Sequence, residues 1–166
     1  NRGFLEESWS LRTLASAGLE LDFVQDNHSY SAPVGTLRGL HFQAPPHAQD
    51  KLVRCTRGAI FDVAVDIRRG SPTFGQWVAE ELSAENGRQL LVPKGFAHGF
   101  VTLCDDTEII YKCTDYYHPE SEISLAWDDP TVGVDWPIPE GDAPQLSAKD
   151  RSGVQWQDCP LYPGLV

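Results

Sequence analysis

The chain has 166 residues, 41% of them apolar and 10% aromatic, which suits one folded domain with a sizeable core and excludes a disordered tract. Its 13 Lys and Arg against 24 Asp and Glu give a net charge of −11, a field that repels nucleic acid and anionic lipid at long range. No apolar run reaches the roughly 18 residues of a membrane span, and no signal peptide is evident, so the expected address is the cytoplasm.

In chain order, Ser8 to Ala17 reads as a short, weak helix. Strand patterns follow at Leu21 to Gln25, Lys51 to Arg54, Ala59 to Ile67 and Gln76 to Leu82. They continue at Gln89 to Pro93, Glu108 to Cys113 and Ile123 to Trp127. Apolar and polar residues alternate in these runs, so each strand buries one face; in a barrel the other face can line a cavity. Turn chemistry breaks the runs at Arg57-Gly58, Arg69-Gly70-Ser71-Pro72, Glu85-Asn86-Gly87, Pro93-Lys94-Gly95 and Asp128-Asp129-Pro130. Trp136 to Pro144 is rich in Pro, Gly and acid and reads as a surface loop. Ser147 to Asp150 reads as one capped helical turn. Many short strands with little helix predict an all-β sandwich or closed barrel, in one domain spanning 1–166.

Two segments carry candidate chemistry. Leu37-Arg-Gly-Leu-His-Phe-Gln43 and Lys51-Leu-Val-Arg54 bring an arginine, a histidine and a lysine onto successive short strands of an acidic chain. An anion pocket containing a base is one reading. Solvated edge charges beside a core histidine is the other. Arg38 sits three residues before His41, so a regular strand sends the two side chains to opposite faces. A bulge at Gly39 re-aims Arg38 in the pocket reading. Cys55, Cys104, Cys113 and Cys159 form no C-x-x-C pair and read as buried thiols in a reducing compartment, without zinc or disulfide.

Taken together, RGF at 2–4, FVQDNHS at 23–29, LRGLHFQ at 37–43, KLVR at 51–54 and FDVAVDIR at 61–68 resemble the dTDP-4-dehydrorhamnose 3,5-epimerase family. LVPKGFAHGF at 91–100, IIYKCTDYY at 109–117 and LSAKD at 146–150 extend the resemblance over essentially the whole chain. It implies a cupin-type jelly-roll barrel with short helical segments, built as a homodimer and using no metal or cofactor. It also implies a thymidine-diphosphate 4-keto sugar as substrate. The protons at C3 and C5 both lie α to the ketone. The reaction needs a base, a group that stabilises the enolate oxygen, and an acid on the opposite face.

By the same resemblance His41 is the base and Asp150 its orienting carboxylate. Lys51 places an ammonium by the C4 oxygen, and His98 is a second contact there. Tyr111 is the proton donor on the other face; a phenol stays protonated at neutral pH. Arg38 grips the diphosphate, for which a guanidinium is suited. Arg2 crosses from the partner subunit to the same group. Glu7, Gln25, Asp26, Asn27, Glu122 and Lys149 line the nucleotide and sugar pocket. Tyr117 stacks on the base, with Tyr116 as its rival.

The usual metal-binding cupin signature is two histidines one residue apart, a glutamate soon after and a distant histidine. Here Phe42 and Gln43 follow His41, and Pro45-Pro46 precede His47, leaving only His98 as a distant ligand, so no metal is expected. Three other readings stand beside the double epimerase. One is a mono-epimerase of the same fold in another dTDP-deoxysugar route. Another is a sugar 3,4-ketoisomerase, against which the set Lys51, Tyr111 and Asp150 counts. The third is a glycan-binding module with a dead site, which would lack His41 or Asp150.

Overall fold

A period of two, set by the pleat of extended chain, governs most of the polypeptide, and the computed structural model shows how the strands use it. It describes residues 2–139 and 141–163. Positions 1 and 164–166 of the expected domain and position 140 of the expected loop lie outside these residues. The elements are α1 (Leu11–Ser16), β1 (Gln25–Ser31), β2 (Leu37–Gln43), β3 (Lys51–Arg57), β4 (Ala59–Asp66), β5 (Trp77–Ser83), β6 (Gln89–Val92), β7 (Phe96–Thr102), β8 (Thr107–Cys113), β9 (Glu122–Ser124) and α2 (Ala148–Arg151). Among the described residues no helix is long and apolar enough to cross a membrane.

Every strand pairing within the sheets is antiparallel. One sheet has the order β1-β8-β3-β6, the other β5-β4-β7-β2-β9. The order 1-8-3-6 facing 2-7-4-5 is the double Greek key of a jelly roll, with β9 added beyond β2. Val53, Cys55 and Ile109 from the first sheet pack on Ile60, Ala64, Leu82 and Phe100 from the second, closing one end of the space between them.

The five-stranded sheet is covered on both faces. Val63 and Val65 point away from the inter-sheet space and pack with Leu37, Val101, Leu125 and Trp136. The segment after β9 supplies that cover, which is why β4 is buried along nearly all its length. Burying each such side chain contributes about 1.5–3 kcal/mol.

Two expected strands differ from those observed, and one observed strand lies outside the expected runs. Leu21 to Val24 are not in the ladder; the first strand is Gln25–Ser31, a polar run with its alternate residues half-buried. Ile123 to Trp127 pairs only over Glu122–Ser124, then makes a bridge at Leu125 to Val154. Phe96–Thr102, carrying His98, is a central strand outside the alternating runs. Both short helices are present. Ser10 caps α1, and Ser147 caps α2 by accepting from the Asp150 amide. Of the four thiols, Cys55, Cys113 and Cys159 are buried and Cys104 is partly exposed, all of them free.

The register of β2 on β7 shifts between Arg38 and His41. Gly39 sits there with φ +121°, and a Cβ on it would lie 2.5 Å from the Gly99 Cα. Glycine is required on both grounds. The bulge turns Arg38 and His41 into the same space.

Candidate active site

The inward faces of the sheets leave a cleft with two lobes of about 290 and 330 Å³ that share His41, Lys51 and Tyr111. Arg38, His98, Lys149 and Asp150 border one lobe. Gln25, Asn27, Tyr117 and Glu122 border the other. His41 and His98 are paired neighbours on β2 and β7. Lys51 and Tyr111 stand on β3 and β8 of the opposite sheet, so the imidazoles face an ammonium and a phenol across the cleft.

His41 Nε2 lies 2.7 Å from Asp150 Oδ1. The carboxylate stands within reach of one ring nitrogen and can orient the imidazole. Asp150 is 3% exposed and firmly held. The Gly39 amide donates to Oδ1 at 3.1 Å, and Ser147 Oγ donates to Oδ2 at 2.6 Å. Burial pushes this carboxyl up, but His41, Ser147 and the Gly39 amide outweigh it and bring it down to about 2. A carboxylate so held stays charged at neutral pH and can stabilise a protonated imidazole.

Burial pushes the Lys51 ammonium below the usual lysine range, against the pull of Cys113, Glu122 and Asp62. Burial also pushes the Tyr111 phenol up to about 12, helped by Cys113 and Glu122. It is therefore a proton donor, not a phenolate, at neutral pH. Arg38 donates from Nε to Ser31 Oγ at 3.2 Å and from Nη2 to the Tyr30 carbonyl at 3.1 Å. These bonds fix the guanidinium without neutralising it, leaving its charge for an anion.

The second lobe is a polar network. Tyr117 Oη donates to Glu122 Oε2 at 2.7 Å, and Lys149 is ion-paired to the other oxygen of Glu122. Burial raises the Glu122 carboxyl, but Lys149 and Tyr117 overcome it and leave the group below its ordinary value. Gln25 accepts from the Tyr117 amide at 3.0 Å and donates to Asn27 at 3.1 Å. Tyr117 borders the cleft and Tyr116 does not.

Three expected residues are not brought to the cleft. Asp26 follows the alternation of β1 to the outer face, where Lys112 Nζ holds both its oxygens at 3.0 Å. Arg2 is exposed in the N-terminal segment, and Glu7, also exposed, accepts from Thr13 Oγ1 at 3.0 Å. Conversely, sequence reasoning missed Asp62. Its Oδ1 lies 2.7 Å from His98 Nε2, both side chains are buried, and Oδ2 has no hydrogen-bond partner among the described residues. The signal was a carboxylate inside an otherwise apolar strand. Ser147, a cap in the sequence, also proves to be a donor to Asp150.

The chain matches the family model of dTDP-4-dehydrorhamnose 3,5-epimerase over residues 1–158. It is 56% identical over 164 residues to a dTDP-4-dehydrorhamnose 3,5-epimerase of Pseudomonas aeruginosa, covering 98% of this chain and 88% of that one. A crystal structure of a dTDP-6-deoxy-D-glucose-3,5-epimerase from Legionella pneumophila, in complex with dTDP-4-keto-L-rhamnose, superposes with a TM-score of 0.92 at 49% identity. That match covers 99% of this chain and 87% of the other. A 3'-monoepimerase of Streptomyces bikiniensis in complex with dTDP-quinovose is more distant, with a TM-score of 0.86 and 33% identity over 95% of this chain and 80% of that one. The likeness bears out the expected cupin-type jelly roll.

Proposed function

The chain belongs to the dTDP-4-dehydrorhamnose 3,5-epimerase family, and from that premise we propose that it converts dTDP-4-keto-6-deoxy-D-glucose to dTDP-4-keto-L-rhamnose, an isomerisation in dTDP-L-rhamnose biosynthesis. The observation that carries this reading is the His41–Asp150 pair facing Lys51 and Tyr111 across one cleft. The ring nitrogen of His41 that Asp150 leaves free takes the proton from C3 or C5. The electron pair moves onto the C4 oxygen, which Lys51 and the Asp62-supported His98 receive. Preorganised charge in a cleft shielded from water is worth far more than in bulk solvent. Tyr111, on the other sheet, returns a proton to the opposite face of the ring at C5. The substrate's own ketone acidifies both protons, so this chemistry calls for no cofactor.

Arg38 takes the diphosphate, and Tyr117, Gln25, Asn27, Glu122 and Lys149 take the nucleotide and sugar. A mono-epimerase would share the base pair; the higher identity to double epimerases and the position of Tyr111 favour two inversions. The test is to incubate the protein with dTDP-4-keto-6-deoxy-D-glucose, reduce the ketone and assign the sugar by NMR. An L-configured product is expected, and a product inverted at one carbon would make it a mono-epimerase.

The protein acts in this reading as a homodimer in which the N-terminal segment reaches the partner's cleft. Phe4 and Leu5 are 87% and 100% exposed, an apolar pair with no cover on its own chain, and Arg2 and Glu7 lie away from their own cleft. Arg2→Ala is expected to raise KM about tenfold or more with kcat within about threefold, because a diphosphate contact is common to ground and transition states. Steady-state kinetics beside a sedimentation measurement check this. A loss confined to kcat would instead tie Arg2 to the chemistry.

A further inference from the structure

Outside the cleft, three side chains from two loops converge without any task in the reaction. His47 lies in the β2–β3 connection, Asp115 and His118 in the stretch after β8. One donor atom from each lies within 4.8 Å of the other two. The imidazoles stack with centroids 3.4 Å apart and planes 18° from parallel. His47 Nδ1 is 3.2 Å from Asp115 Oδ2, and Glu120 stands next to the group with Oε1 3.4 Å from His118 Nδ1. The two histidine side chains are 32% and 30% exposed, open enough for an ion to enter and sheltered enough to hold it.

The backbone beneath them is fixed. The Gln43 side chain donates to the carbonyls of His47, at 2.6 Å, and Tyr116, at 3.1 Å, and accepts from the His118 amide at 2.8 Å. Gln49 Nε2 donates to the Asp115 carbonyl at 2.8 Å. Two glutamines thus hold both loops in register, and the ligand side chains need only rotate. Two imidazoles and a carboxylate are a ligand set for zinc and its first-row neighbours, not for calcium or magnesium, which prefer all-oxygen shells.

We propose that His47, Asp115 and His118 form a divalent transition-metal site that clips the β2–β3 loop to the segment carrying Tyr117. Bonds of about 2.0–2.2 Å draw the donors together from their present spacing. Stacked rings aim their lone pairs in parallel, so binding opens the stack by rotation about Cβ–Cγ. The fourth position falls to water or Glu120. The site is separate from His41 and His98, and the ion has no part in the epimerisation.

The test is calorimetric titration of the full chain with zinc chloride under reducing conditions, repeated with cobalt to read its visible absorption. One equivalent per chain is expected. His118→Phe keeps a ring stacked on His47 but removes a donor, and His118→Ala removes both. Each is expected to weaken zinc binding by at least about 10- to 100-fold, since even outer partners of metal ligands carry that much. His41→Asn is expected to leave the affinity unchanged. No binding by the intact protein, undiminished binding by both His118 variants, or loss on His41→Asn would overturn the proposal, the last by moving the ion into the cleft.

Discussion

Replacing His41 with alanine is expected to lower proton exchange at both C3 and C5 by at least about 10²-fold, the lower end of what a positioned general base contributes. In the proposed mechanism the same residue serves both carbons, a reading supported by its pairing with Asp150 while His98 is paired with Asp62. Asp150 remains bonded to Ser147 and Gly39 in the variant, so the truncation does not strand a buried charge. Affinity for dTDP is expected to stay within a few-fold, since Arg38 and Tyr117 are fixed by other partners. Isotope exchange followed by NMR, with calorimetry for dTDP, checks both. Exchange surviving at one carbon would show a second base acting there.

Tyr111→Phe is expected to separate the two inversions. The phenol stands on the sheet opposite His41, and burial holds it protonated with its pKa up to about 12. Its removal takes away the acid but not the base. Reaction at C5 is expected to fall about 10²-fold, while exchange at C3 largely survives. Packing changes little, because the ring remains and no hydrogen bond within the protein depends on the hydroxyl among the described residues. Product analysis by carbon position decides the matter: equal losses at C3 and C5 would reduce Tyr111 to a group that positions substrate.

The barrel was legible where one strand face meets the core. Glu108 to Cys113 alternates because its inward and outward environments differ in polarity, whereas Ala59 to Ile67 was legible from its apolar content, both of its faces being covered. The first strand was not, because its inward residues Gln25, Asn27 and Ser29 border the cleft and its outward ones face water or ion pairs. With polar residues on both faces, no hydrophobic period exists to read. The same geometry explains Asp26. Three consecutive residues of a strand cannot all face one cavity, so a period of two argued against grouping it with Gln25 and Asn27.

Of the site, the Arg38–His41 bulge was readable from Gly39, and the cap at Ser147 from its spacing to Asp150. Pairings between distant segments were not. His98 meets Asp62 across 36 residues, through the register of β4 on β7. His41 meets Asp150 because α2 is held against the bulge by the Gly39 amide. Only a resemblance to known sequences could join those residues beforehand. His47 and His118 had no such guide, and the stack between them is a product of the two loops that Gln43 ties together.

The central claim is that one pair, His41 with Asp150, opens both stereocentres in turn, each through its own enolate of the shared C4 ketone. It is tested most directly by proton NMR of the purified protein with dTDP-4-keto-6-deoxy-D-glucose in D₂O. Deuterium is predicted to be incorporated at C3 and at C5, and incorporation at the two carbons is predicted to disappear together in the His41→Ala variant. Incorporation at one carbon only, or incorporation at either that persists without His41, would contradict the account.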